Sequence, residues 1–304
     1  MAQIPSGQKF HTVPAGVQTI ERGSALANSQ REIYTMQDII DTAGGGSGSN
    51  YVIIKANSNP SENGAALEQA YVDAATYEPN GNPISSFNQF YIVLAPGYYE
   101  LSTTLIVNLP WVNIISMTGL RDVFIMGNTF NVTAHSVYIQ GIDTASVDGL
   151  SFSTSGTSSA QTFENCRGGA ESFGAYTGAY GTYINCDAGY NSFGANSIAG
   201  GVFINCTAQW NSFGGLSFAT GIFKNCTSSY SSFGGYTGSA SGTFEYCTGG
   251  NNSFASPLGN ASGIFAFCNL KGGSFVAPSG SGKFIYCHND GIPYNAGFIF
   301  QNKL

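Results

Sequence analysis

Seven cysteines are the residues most able to do chemistry: Cys166, Cys186, Cys206, Cys226, Cys247, Cys268 and Cys287. Thiolates ligate soft metals, attack electrophiles or close disulfides. Their spacings are 20, 20, 20, 21, 21 and 19 residues. Close C-x-x-C spacing is absent and the chain has only three histidines, which argues against a zinc site. Parallel strands stack about 4.8 Å apart, so repeats stacked as coils would bring successive cysteine Cα atoms within disulfide range. Their Cβ vectors would then run parallel, a poor geometry for the bond. The expectation is a buried ladder of free thiols acting as small apolar residues, with no metal and no cofactor. Reduced thiols also fit assembly inside a cell.

Carboxylates come next. Paired acids in a surface groove can cleave glycans, by hydrolysis or by calcium-assisted elimination. The repeated region carries few acids (Glu164, Glu171, Asp187, Glu245 and Asp290), and none has another acid at the same position in the adjacent repeat. The best-grouped acids lie earlier: Asp122, Asp143 and Asp148, with Arg121 nearby and Arg167 one repeat below Asp143. They are weak catalytic candidates, because solvated turn carboxylates produce the same pattern. Tyr190, Trp210 and Tyr230 form a third group, each four residues after a cysteine and twenty apart. Such a column can stack on sugar rings, build a protein interface or stabilise the coil, and the sequence leaves all three open.

The elements that position these residues follow from periodicity. Three residues before each cysteine stands an aromatic: Phe163, Tyr183, Phe203, Phe223, Phe244, Phe265 and Phe284. Directly before the first four stands Asn165, Asn185, Asn205 or Asn225. Seven after the first six comes Phe173, Phe193, Phe213, Phe233, Phe254 or Phe275, each preceded by Ser. Five before the last six is a glycine. Units of about twenty residues with Gly and Ser at their corners read as short strands and turns, wound into a parallel β-helix. Phe then stacks on Phe, Cys on Cys and Asn on Asn, with the Asn column at a bend where its amide bonds the amides above and below. Seven such coils rise about 34 Å, and four earlier coils extend the rod to about 50 Å.

The rest divides around this array. Residues 1–43 hold most of the early charge and read as an anchor segment, with Ser29-Gln30-Arg31-Glu32 as a capping box opening a short helix through Ile33, Met36, Ile39 and Ile40. Residues 44–50 are a Gly/Ser linker. Within 51–86, a strand over Tyr51–Ile54 precedes a helix over about 61–77, capped by Ser61 or Asn59, which would plug the open first coil. Residues 87–160 form irregular coils aligned by Ile92, Ile114, Ile139 and Phe163, and 161–304 hold the regular repeat and the C-terminal tail. No capping helix follows the last coil, so the tail or a partner is expected to cover it.

Composition excludes several function classes. Charged residues are 9% of the chain, net charge is −7 and pI is near 4.8. A phosphate backbone needs a basic face, so nucleic acid is not an expected partner. No apolar run approaches the roughly 20 residues of a membrane helix, and no basic and apolar secretory leader opens the chain.

Ile92-Val93-Leu94-Ala95-Pro96-Gly97-Tyr98-Tyr99-Glu100 and the helix before it resemble the opening coil of the pectate-lyase-like right-handed β-helix superfamily, a helix-then-coil arrangement shared with phage tailspikes and tail fibres. His11-Thr12-Val13-Pro14-Ala15-Gly16, Glu21-Arg22-Gly23-Ser24 and Arg31 through Asp41 resemble leader segments of structural proteins from marine tailed phages. The resemblance implies an all-β, right-handed parallel β-helix that is a non-enzymatic virion component: a tail fibre, baseplate spike or capsid decoration protein. It would be assembled in the host cytoplasm, joined to other virion proteins through residues 1–50, and associated with itself as a trimer. No catalytic motif of the superfamily carries over residue by residue. A polysaccharide depolymerase using Asp122, Asp143 and Asp148, or a glycan-binding adhesin using the Tyr190–Trp210–Tyr230 column on a host surface, are the alternatives.

Overall fold

The structure, a computed structural model, describes residues 19–23, 31–35, 49–145, 152–154, 161–235, 237–254, 260–270, 281–289 and 299–301. In the N-terminal segment β1 (Thr19–Gly23) and β2 (Arg31–Thr35) pair antiparallel, with Thr19 opposite Thr35 and Gly23 opposite Arg31. This corrects the helix expected from the capping box at Ser29. A local cap competes poorly with a cross-strand partner when the run is Ile33-Tyr34-Thr35, rich in β-forming side chains.

Beyond it the chain is a parallel β-solenoid. The chain continues as β3 (Tyr51–Ile54), α1 (Pro60–Ala74), β4 (Phe90–Leu94), β5 (Gly97–Glu100), β6 (Leu105–Val107), β7 (Val112–Ser116), β8 (Val123–Met126), β9 (Phe130–Val132) and β10 (Tyr138–Gln140). One face is a twelve-stranded parallel sheet that begins β3-β4-β7-β10 and gains one strand per coil as far as Ile299–Gln301. Ile92 pairs with Ile114, Ile114 with Ile139, and Ile139 with Phe163, the alignment expected from sequence. Alternation along β4 buries Phe90, Ile92 and Leu94 while Tyr91 and Val93 face outward. Two further faces carry shorter strands, one starting β5-β8 and the other β6-β9.

The α1 helix is the expected plug, ending at Ala74, and Asn59 caps it by accepting from Ser61 N–H. Leu67, Tyr71 and Ala74 enter the core. Its polar residues bond backbone groups of the first coil, whose β5 and β6 have no earlier strand to pair with. Asn63 donates to Tyr98 C=O at 2.8 Å, Glu68 accepts from the Ser102 and Thr103 N–H groups at 2.8 and 3.1 Å, and the Tyr71 hydroxyl accepts from Leu109 N–H at 2.8 Å. Gly64 permits the approach, since a Cβ there would lie 1.8 Å from Glu100 O.

The array interior is two aromatic columns. In the first, rings from Tyr183 to Phe265 stack at 4.8–4.9 Å with planes within 5°. In the second, Phe173, Phe193, Phe213, Phe233 and Phe254 stack at 4.6–4.8 Å. The columns meet edge to face, as in Phe203–Phe213 at 5.6 Å and 87°, a favourable aromatic arrangement. The second column is unusual in that each of these Phe residues has φ between 50° and 55°. A bulky side chain in the left-handed region costs on the order of 1–2 kcal/mol, and burial of a Phe ring, about 1.5–3 kcal/mol, offsets it.

The repeated glycine five residues before each of the last six cysteines lies at a tight inter-coil approach: a Cβ on Gly221 would sit 2.2 Å from Gly201 O. At the C-terminus, Ile299–Gln301 pairs in register with Lys283–Ile285, Phe300 opposite Phe284, so this part of the tail extends the sheet as a further strand.

Candidate functional site

The seven thiols form the expected ladder. All are free, six are buried and Cys287 is half-buried. Each lies near the carbonyl of the residue two before it and one in the previous coil, as Cys206 does with Ile204 O at 3.5 Å and Tyr183 O at 3.4 Å. Burial pushes the Cys166, Cys186, Cys206 and Cys226 thiols well above the ordinary thiol range. A neutral, enclosed thiol is a poor nucleophile and a poor ligand. Among the described residues no group of three or more His, Cys, Asp or Glu could hold a metal ion.

The bend before each cysteine is built as the spacing implied. Asn165, Asn185, Asn205 and Asn225 have φ of 52–54°. Each amide donates to the Asn one coil earlier at 3.0–3.1 Å, and Asn165 donates to Gly119 O at 3.0 Å. A second ladder was not foreseen. The buried serines beside the inner Phe column, Ser192, Ser212 and Ser232, each accept from the backbone N–H of the preceding serine at 3.2–3.3 Å. The recurring Ser-Phe pair was its only sequence signal.

The acids separate in space. Asp122 accepts from the hydroxyls of Ser116 at 2.6 Å and Thr118 at 2.5 Å. Asp143 accepts from Ala145 N–H at 2.8 Å and lies 3.8 Å from Arg167, which bridges the strands of Asp143 and Asp187. Arg121 pairs with Asp187 and donates to Asn185 O at 2.8 Å, and Thr207 donates to Asp187. Asp148 lies outside the described residues. Sequence reasoning placed Arg167 below Asp143 but missed Asp187, which is 66 residues from Arg121 and reaches it only through coils of unequal length. These pairs tie the coil of Asp143 to that of Arg167, and the coil of Arg121 to that of Asp187 three coils on. A cleft of about 700 Å³ opens elsewhere, between α1 and β3, lined by Val52, Ile54, Ala70, Tyr77, Phe90 and Asp73, and neither Asp122, Asp143 nor Asp187 lines it.

Tyr190, Trp210 and Tyr230 lie at the same level of successive coils. Backbone bonds connect the coils at this level, from Asn191 N–H to Trp210 O and from Asn211 N–H to Tyr230 O. The three side chains are 49%, 63% and 41% exposed. Gln209 and Ser229 are exposed beside them, and Asn252 donates to the Tyr230 hydroxyl at 3.0 Å. Flat aromatic faces next to neutral amides and hydroxyls can stack on and hydrogen-bond an uncharged polyhydroxyl ligand. No helix among the described residues is long and apolar enough to cross a membrane.

No family model matches the chain, and no curated protein or solved structure is significantly similar to it.

Proposed function

We propose that this chain is a non-enzymatic structural rod of a tailed-phage particle: a tail fibre, baseplate spike or capsid decoration protein. In this reading residues 1–50 attach to other virion proteins, the solenoid is right-handed, and the protein is assembled in the host cytoplasm as a homo-oligomer, a trimer by resemblance. The observation that carries the rod is the division of labour within the repeat. Its recurring positions go to internal ladders of Phe, Cys and Ser and to an outer amide ladder of Asn, while Asp122, Asp143 and Asp187 are engaged by hydroxyls or guanidiniums. The resemblance of the leader supports the particle. The test is imaging of the intact particle, with density traced to this chain. A stable monomer that never copurifies with particles would overturn the reading.

The exposed aromatic column favours a second reading, in which the rod also binds a host surface glycan without cleaving it. Trp210→Ala should abolish retention on a glycan array made from host envelope polysaccharide and leave the fold intact. Unchanged retention would remove the column from recognition.

A further inference from the structure

We infer that the C-terminal third of the twelve-stranded sheet carries a self-association surface, built where the Asn ladder gives way to aromatics. The position directly before each cysteine keeps the same left-handed backbone along the whole array. Asn occupies it in the first four coils, but Tyr246, Phe267 and Tyr286 occupy it in the last three, with φ of 55°, 54° and 49°. Asn suits this conformation and forms the amide ladder, whereas bulky aromatics are strained in it. Unlike the Phe column inside the coil, these rings are only partly buried: they are 53%, 44% and 39% exposed. They stack on one another at 4.9 and 5.3 Å with planes 9° apart, forming a flat strip. Outward residues of the same strands include Ile264, Ala266 and Ile285. The strip and these side chains make a patch that solvent does not favour.

The occupant that fits is a second copy of this chain. The whole chain carries −7, so two copies repel except where a surface is neutral or basic. Among the outward residues of these strands Glu245 is compensated by Lys224 at 3.2 Å, which leaves Lys283. The patch is thus apolar and free of net negative charge on an acidic molecule, so two copies can meet there, patch on patch, without the repulsion that acts elsewhere on their surfaces. Both copies also rise by the same step per coil, so ring positions stay matched along the strip. The inference rests on the homo-oligomer of the proposed function and names its contact surface; the two patch variants test that surface, and particle imaging tests the role in a particle.

The experiment uses the full chain in sedimentation velocity and light scattering over a concentration series. The triple variant Tyr246→Asn, Phe267→Asn and Tyr286→Asn extends the Asn ladder and removes the strip, so its backbone should be tolerated. Wild type should self-associate, and the variant should do so about a hundredfold more weakly with unchanged circular dichroism. Ile264→Lys, which leaves the ladder untouched, should weaken association in the same direction and decides the matter if the triple variant misfolds. Trp210→Ala should associate as wild type does. A wild-type monomer at every concentration, or both patch variants associating normally, would overturn the inference.

Discussion

The opening coils and the repeated array solve one problem in two ways. Every coil must satisfy its backbone groups and fill its interior. Over residues 90–142 the interior is mainly aliphatic, with Ile92, Leu94, Val107, Ile114, Ile125, Val132 and Ile139 fully buried and Phe90, Tyr99 and Phe130 as scattered aromatics. There the first coil is closed by one-off contacts from α1, such as Glu68 to Ser102 and Tyr71 to Leu109. In the array each coil is the template for the next, and the contacts are ladders. One-off contacts close an end, whereas ladders can continue for as long as the repeat does. The two regions should therefore fail under different insults.

Alkali should discriminate between them most strongly. The buried thiols all belong to the array. Burial raises the folded-state pKa values of Cys166, Cys186, Cys206 and Cys226, so at these four the folded chain keeps protons that the unfolded chain releases once pH passes the ordinary thiol value. The unfolded state then binds fewer protons, and stability falls as pH rises. The thiol contribution is present in full below about pH 8 and declines above about pH 9. For Cys166, Cys186, Cys206 and Cys226 together the loss should amount to several kcal/mol by pH 10. Urea titrations from pH 7 to 10 should show it, and alanine at these four positions should flatten the profile. Hydrogen exchange should place the alkaline opening in the array while β4 and β7 stay protected. Equal opening of both regions would erase the distinction.

Gly64→Ala strikes the other region. The added Cβ meets a backbone carbonyl, which has no flexible end to yield. The helix should lift from β5, at a cost of about 1–3 kcal/mol, and amide exchange should rise at Ser102, Thr103 and Leu109. Protection over residues 202–224 should not change. If exchange rose throughout the molecule, α1 would be the seed of the solenoid as well as its plug.

What was legible in the sequence follows the same divide. Cys, Phe and Asn recur at fixed spacing, so a periodic search finds the core, the bend and the amide ladder together. The aliphatic coils were aligned correctly because Ile92, Ile114 and Ile139 each sit in an alternating apolar run. One-off contacts have no such signature: Glu68 and Ser102 are 34 residues apart, and Arg121 and Asp187 are 66. Even inside the array, the positive φ of Phe193 and its equivalents was invisible, because only Asn and Gly advertise that conformation by type. At Arg31–Thr35 a local capping pattern pointed to helix, and pairing with Thr19–Gly23 prevailed.

The smallest predicted effect separates two contributions within a single ladder. Asn205 supplies a residue that tolerates φ of 54° and an amide that donates to Asn185 and accepts from Asn225. Asn205→Ala loses both, and should destabilise the array by about 1–2 kcal/mol in urea unfolding. Asn205→Gly keeps the backbone preference and loses only the amide, so the difference between the two variants measures the strain. If strain dominates, Gly should cost less than about 1 kcal/mol, and Tyr246, Phe267 and Tyr286 carry a strain that the amide ladder never relieves. If Gly and Ala cost the same, the amide contacts dominate, and the aromatics of the last three coils have replaced one side-chain ladder by another. The second result would weaken the argument that those rings were placed for a partner, so a glycine at position 205 bears directly on how the far end of the rod is read.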